Sequence, residues 1–182
     1  MNFKFIRNEF ADVAVIEPRI FRDERVYFYE NYKYSDFVAG GISDNFVQDN
    51  QSFSTQGVVR GLHFQVAPKP QAKLVRCLQG EIYDCIVDLR KSSPTFGKYF
   101  GVNLSAENKL MLYVPVGFAH GFSTLSETAE VSYKVSDEYD PKSEFGLRFD
   151  DPQVAIDWKV SNPIVSQKDQ ILPFLKDLKT LF

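Results

Sequence analysis

The chain has 182 residues, 44% of them hydrophobic and 15% aromatic, with ten Gly and nine Pro. That length suits one buried core, and that composition excludes a disordered chain. The formal net charge of −3 argues against non-specific nucleic-acid binding.

No apolar run approaches the ~20 residues of a membrane-spanning helix. The first 18 residues carry charge throughout and lack the apolar centre of a signal peptide, so a cytoplasmic protein is expected. Short β-type runs then recur between turn signals, predicting strands over 14–18, 26–29, 46–49, 58–65, 73–78, 82–89, 99–104, 110–114 and 129–136. Gly80, the Ser-Ser-Pro group at 92–94, the Pro-Val-Gly at 115–117 and Asp140-Pro141 separate them. Residues 35–39 predict a helical turn that Gly40 and Gly41 end. Near the C-terminus, Ser166 is the predicted cap of a helix with Ile171, Phe174, Leu175 and Leu178 on one face. With no linker or internal repeat, residues 1–182 read as a single, mainly antiparallel β domain, a sandwich or barrel with short helical additions. Cys77 and Cys85 fall in apolar strand-like runs and read as small buried hydrophobes.

Alternation of side chains along a strand orients the polar residues that matter. In 129–136, Tyr133 shares its face with Ala129, Val131 and Val135, so it points to the interior. In 73–78, Lys73 shares its face with Val75 and Cys77. A lysine entering a barrel from a strand end either belongs to a site or snorkels to water at the mouth, and the residues leave both open. Of the two histidines, His63 lies in the 58–65 run and His120 ends Pro115-Val-Gly-Phe-Ala-His120.

These spacings resemble the two cupin motifs, whose metal-binding members use three histidines and a glutamate. Here Gln65 and Lys73 stand at two of those positions. An ammonium in place of an anionic ligand repels a divalent ion, so no metal or other cofactor is expected. A base beside a cation and a phenol suits proton transfer next to a carbonyl, where an enolate forms. His63, Lys73 and Tyr133 fit the roles of base, enolate stabiliser and opposing acid.

Longer stretches sharpen the resemblance: Phe46-Val-Gln-Asp-Asn-Gln-Ser, Gly57-Val-Val-Arg-Gly-Leu-His-Phe-Gln, Gln71-Ala-Lys-Leu-Val-Arg, Gly80-Glu-Ile-Tyr-Asp-Cys-Ile-Val-Asp-Leu-Arg, Ser93-Pro-Thr-Phe-Gly, Pro115-Val-Gly-Phe-Ala-His-Gly-Phe, Ser132-Tyr-Lys and Ser166-Gln-Lys-Asp. In this order, over roughly residues 14–170, they are similar to the dTDP-4-dehydrorhamnose 3,5-epimerase family. The resemblance implies a cupin-type jelly-roll barrel, a homodimer, and action on dTDP-4-dehydro-6-deoxy-D-glucose in dTDP-L-rhamnose biosynthesis. It also implies that Asp169 holds His63, that Asp84 and His120 complete the polar site, and that Gln48, Asn50 and Arg60 hold substrate. Arg25 and Glu30 match an N-terminal segment that reaches the substrate, and Tyr139 an aromatic on which thymine stacks.

Two features of the residues sit awkwardly with this pattern. The motif Asp-x-Arg-Gly is here Asp23-Glu24-Arg25-Val26, and a β-branched residue suits positive φ poorly if that glycine adopts it. In a regular strand Arg60 and His63 face opposite ways, so an irregularity is expected at the intervening Gly61. Alternative readings are a C3-only epimerase or 3,4-ketoisomerase of similar barrel, a non-catalytic barrel that binds a nucleotide sugar, and a metal-dependent cupin oxygenase or isomerase.

Overall fold

A computed structural model of the chain describes residues 1–10, 12–179 and 182. In chain order the elements are β1 (Phe3–Arg7), β2 (Ala14–Pro18), α1 (Tyr34–Ala39), β3 (Gln48–Thr55), β4 (Val58–Gln65), β5 (Lys73–Gln79), β6 (Glu81–Asp88), β7 (Tyr99–Ser105), β8 (Met111–Val114), β9 (Phe118–Thr124), β10 (Thr128–Val135), β11 (Glu144–Gly146), β12 (Ile164–Val165) and α2 (Gln167–Gln170). A 3-10 turn covers Leu175–Asp177.

Two sheets result, with orders β1-β2-β8-β5-β10-β3 and β11-β4-β9-β6-β7. Every pairing along these paths is antiparallel, and β12 adds to β4 in parallel. Strands from β3 to β10 change sheet at most connections, so the sheets interleave β3-β10-β5-β8 against β4-β9-β6-β7 in the manner of a jelly roll.

Period-2 alternation gives each sheet two apolar faces, which makes three layers of core. Between the sheets lie Val75, Cys77, Ile82, Ile86, Leu112, Phe122 and Val131. Their alternates Val59, Leu62, Phe64, Cys85 and Val87 pack outward under Leu147, Trp158 and Leu175 of the C-terminal segment. On the first sheet, Ala14, Ile16, Leu74 and Met111 pack outward beneath Phe37 of α1 and Ile42. Both cysteines are buried and free. With both outer faces covered, polar groups facing the inter-sheet space are screened from solvent except at the open end.

The turn after α1 forms at Gly40 and Gly41 as the sequence predicts, with Gly41 at φ +85°. Two expectations are corrected. Residues 26–29 form no strand, only an isolated bridge between Phe21 and Phe28, because this exposed segment has no sheet edge alongside. The continuous C-terminal helix is also absent. Ser166 does cap α2, its Oγ accepting from the Asp169 N–H at 3.1 Å, but the helix ends at Gln170. Pro173 has no N–H to continue the helix and disfavours helical geometry at Leu172. The expected apolar face is therefore split: Leu175 is buried, whereas Ile171 is 83% exposed.

Candidate active site

The site begins with the break in β4. Val59, Leu62 and Phe64 pack outward, yet Arg60 and His63 both line the inter-sheet cavity. The register against β9 shifts between Arg60 and His63, so one residue is gained and the parity changes. Gly61 makes this sterically possible: its φ is +120°, and a Cβ there would lie 2.6 Å from Gly121 Cα. The expected irregularity is present, and it brings guanidinium and imidazole to one face.

His63 Nε2 lies 2.7 Å from Asp169 Oδ1. Asp169 sits in the first turn of α2, 4% exposed, and its Oδ2 accepts from the Gly61 N–H at 3.3 Å. Burial alone raises the pKa of this carboxyl, but the bonds from His63, Gly61 and Ser166 outweigh it and hold the pKa below the usual value. An ionised Asp169 fixes the proton on Nε2 and leaves the Nδ1 lone pair as the basic position.

The facing sheet supplies the other groups. Lys73 is 7% exposed, and its Nζ donates to the His63 carbonyl at 3.1 Å, bridging the sheets. Burial pushes its pKa down to about 8, against the opposing pull of Asp84 and Glu144. Tyr133 pairs with Val75 and Asn50, which places it on the same inward face. Burial raises its phenol pKa, and Arg60 partly offsets that.

His63, Lys73 and Tyr133 border both a cavity of about 500 Å³ and an adjoining one of about 240 Å³. The larger cavity also takes in Arg60, His120 and Asp169, and the smaller one Gln48, Asn50 and Tyr139. Asp84 is fully buried beneath, with His120 Nε2 donating to its Oδ1 at 2.8 Å. Burial lowers the His120 pKa despite Asp84, which keeps this second imidazole neutral. Gln48 is clamped between Asn50 Oδ1, at 2.8 Å, and the Tyr139 N–H, at 3.0 Å.

Arg25 and Glu30 are not brought to either cavity. Arg25 pairs with Asp23, and Glu30 accepts from Asn2 at 2.7 Å. Val26 next to them does take positive φ, at +93°. Two residues absent from the sequence reading stand at the rim. Glu144 Oε2 accepts from Tyr139 Oη at 2.9 Å and from Lys168 Nζ at 2.7 Å. Lys168 was recoverable from its place beside Asp169 in the Ser166-Gln-Lys-Asp stretch. Glu144 comes from a three-residue strand with no local signal.

The cupin metal positions have other employment. The Gln65 amide donates to the Lys69 and Glu138 carbonyls and accepts from the Asp140 N–H, clipping down the loop that carries Tyr139. Lys73 occupies the glutamate position. Among the described residues no three His, Cys, Asp or Glu side chains gather as a ligand set. No helix among them is long and apolar enough to cross a membrane.

A carboxylate-held imidazole on one sheet, facing a buried ammonium and a phenol on the other, defines an acid–base enzyme built in a cupin-like jelly roll. Comparison with known proteins narrows that class. A sequence model of the family described as dTDP-4-dehydrorhamnose 3,5-epimerase matches residues 7–177. The chain is 52% identical to the dTDP-4-dehydrorhamnose 3,5-epimerase of Shigella flexneri, covering 90% of this chain and 91% of that one. Among solved structures, the enzyme of that name from Elizabethkingia anophelis superposes with a TM-score of 0.93 at 49% identity, over 97% of this chain and 98% of that one. The dTDP-6-deoxy-D-glucose-3,5-epimerase of Legionella pneumophila, solved in complex with dTDP-4-keto-L-rhamnose, gives 0.93 at 45% identity, over 97% and 95%. The chain belongs to the dTDP-4-dehydrorhamnose 3,5-epimerase family and is an isomerase.

Proposed function

We propose that this chain inverts C3 and C5 of dTDP-4-dehydro-6-deoxy-D-glucose, the epimerisation step of dTDP-L-rhamnose biosynthesis, without metal or organic cofactor. The observation that carries the reading is the placement of His63 and Tyr133 on facing sheets, with Lys73 bordering the same cavity.

The C4 ketone acidifies the C–H bonds at C3 and C5. His63 Nδ1 takes a proton, and the electron pair moves onto the ketone oxygen as an enolate. The Lys73 ammonium stabilises that charge in a site of low dielectric. Tyr133 returns a proton to the opposite face of the same carbon, so the centre is inverted. The imidazolium loses its proton and the phenolate regains one from solvent, restoring the enzyme for the second carbon. Asp169 holds the ring and stabilises the imidazolium. His120 and Asp84 complete the polar floor.

Gln48, Asn50 and Arg60 hold the ligand, and Tyr139, 54% exposed at the rim, offers a face for thymine. Residues 1–182 act as one domain. The protein works in the cytoplasm as a homodimer, in which Arg25 and Glu30 reach the second copy's cavity. The exposed Phe21, Tyr27 and Phe28 beside them favour burial against that copy.

The test is incubation with dTDP-4-dehydro-6-deoxy-D-glucose in deuterated water, followed by NMR. Inverted product carrying deuterium at both C3 and C5 is expected. Label at C3 alone identifies a C3-only epimerase, and no label at either carbon identifies a binding protein.

A further inference from the structure

Arg60 is exposed at the cavity mouth, where a long guanidinium stem ordinarily samples many rotamers. Here it is tied on one edge. Its Nε donates to Ser54 Oγ at 2.9 Å, and its Nη2 to the Phe53 carbonyl at 3.0 Å. Both partners lie on β3 of the opposite sheet, across the short connection between β3 and β4. Ser54 is 4% exposed and points inward with Gln48, Asn50 and Ser52, the alternate residues of its strand. A hydroxyl that is both a donor and an acceptor can receive the guanidinium without adding charge. The Nη1 donors have no partner among the described residues, and Arg60 lines the larger cavity. The guanidinium is thus fixed on its Nε/Nη2 edge, facing β3, and keeps free donors on Nη1.

We propose that Ser54 is a positioning residue for ligand binding, acting through Arg60. It holds the guanidinium in one rotamer over the cavity, so that binding does not have to order it. This rests on the reading of Arg60 as a substrate-holding residue. A fork already held in place loses less freedom per bond formed to an anionic or carbonyl oxygen.

The experiment compares wild type with Ser54→Ala, Ser54→Thr, Arg60→Met and the Ser54→Ala/Arg60→Met double variant. Calorimetry measures binding of dTDP-glucose, which lacks the ketone and cannot turn over, and kinetics measures kcat and KM on the keto sugar. Ser54→Ala is expected to raise Kd and KM about tenfold with kcat within about twofold, since bonds to charged groups are among the stronger ones. Ser54→Thr, which keeps the hydroxyl, is expected within about threefold of wild type. In the Arg60→Met background, Ser54→Ala is expected to change Kd less than twofold. The proposal is overturned by unchanged Kd in Ser54→Ala, or by the same loss with and without Arg60. Wild-type protein that fails to bind dTDP-glucose contradicts the substrate reading itself, a result separable from any Ser54 effect.

Discussion

Replacing Lys73 with Met separates what the residue does for the reaction from what it does to the fold. Burial depresses its pKa from 10.5 to about 8. At about 1.4 kcal/mol per pH unit, holding the ammonium in the folded protein at pH 7 costs about 3 kcal/mol. The sign follows from proton counting: between about pH 8 and 10.5 the unfolded chain binds the proton that the folded one has released. Stability therefore rises with pH across that window, and the penalty is fully present below it. Met fills similar volume without charge, but it forfeits the bond to the His63 carbonyl, worth about 1 kcal/mol. A net gain of about 1–2 kcal/mol remains, or about 2–8 °C in Tm for a chain of this length. Activity moves the other way. Loss of one charge-stabilising donor typically costs ~10²–10³ in kcat. In the wild type, kcat/KM should fall as pH rises through about 8, where Lys73 loses its proton. Differential scanning calorimetry and a pH–rate profile from pH 6 to about 10 check both limbs. A destabilised Lys73→Met, or a flat alkaline profile, refutes the argument that Lys73 is a buried cation whose charge serves the reaction.

Other variants probe the remaining residues. His63→Ala should reduce deuterium exchange into the sugar by ~10²–10⁴-fold, and Asp169→Asn by less, because the role proposed for Asp169, bonded to the ring, is to orient it and not to take the proton. Val26→Gly should stabilise the protein by about 1 kcal/mol in thermal unfolding. The valine sits at φ +93° and is 64% exposed, so the variant relieves backbone strain of ~1–3 kcal/mol, loses little burial and is offset by glycine's flexibility. Sedimentation at micromolar concentration should give a dimer, and a fully active monomer would remove the role proposed for Arg25 and Glu30.

The sequence revealed those parts of the molecule in which a residue's neighbours along the strand determine its direction. The bounds of β2 and β4 were legible, as were the inward faces of Lys73 and Tyr133 and the parity break at Gly61, because each depends on local alternation. Less legible were elements fixed by tertiary partners. β9 follows a Pro-x-Gly turn and contains Gly121, which hides it as a strand, yet Gly121 is there because the Gly61 backbone crosses it closely. The apolar spacing near the C-terminus suggested one helix, and Pro173 overrode it. The surroundings of Glu144 depend on Lys168 and Tyr139 arriving from other segments, which no local pattern encodes.

In the proposed reaction protons leave from one face and return to the other, with two residues doing the two jobs. Tyr133→Phe in deuterated water separates the two jobs, with exchange and inversion both followed by NMR. His63 should still take and return protons on its own face, so deuterium washes into the substrate while inverted product falls by about 10²-fold or more. Inversion at the wild-type rate would rule out this division of roles, since the second proton donor would then have to be a group other than Tyr133.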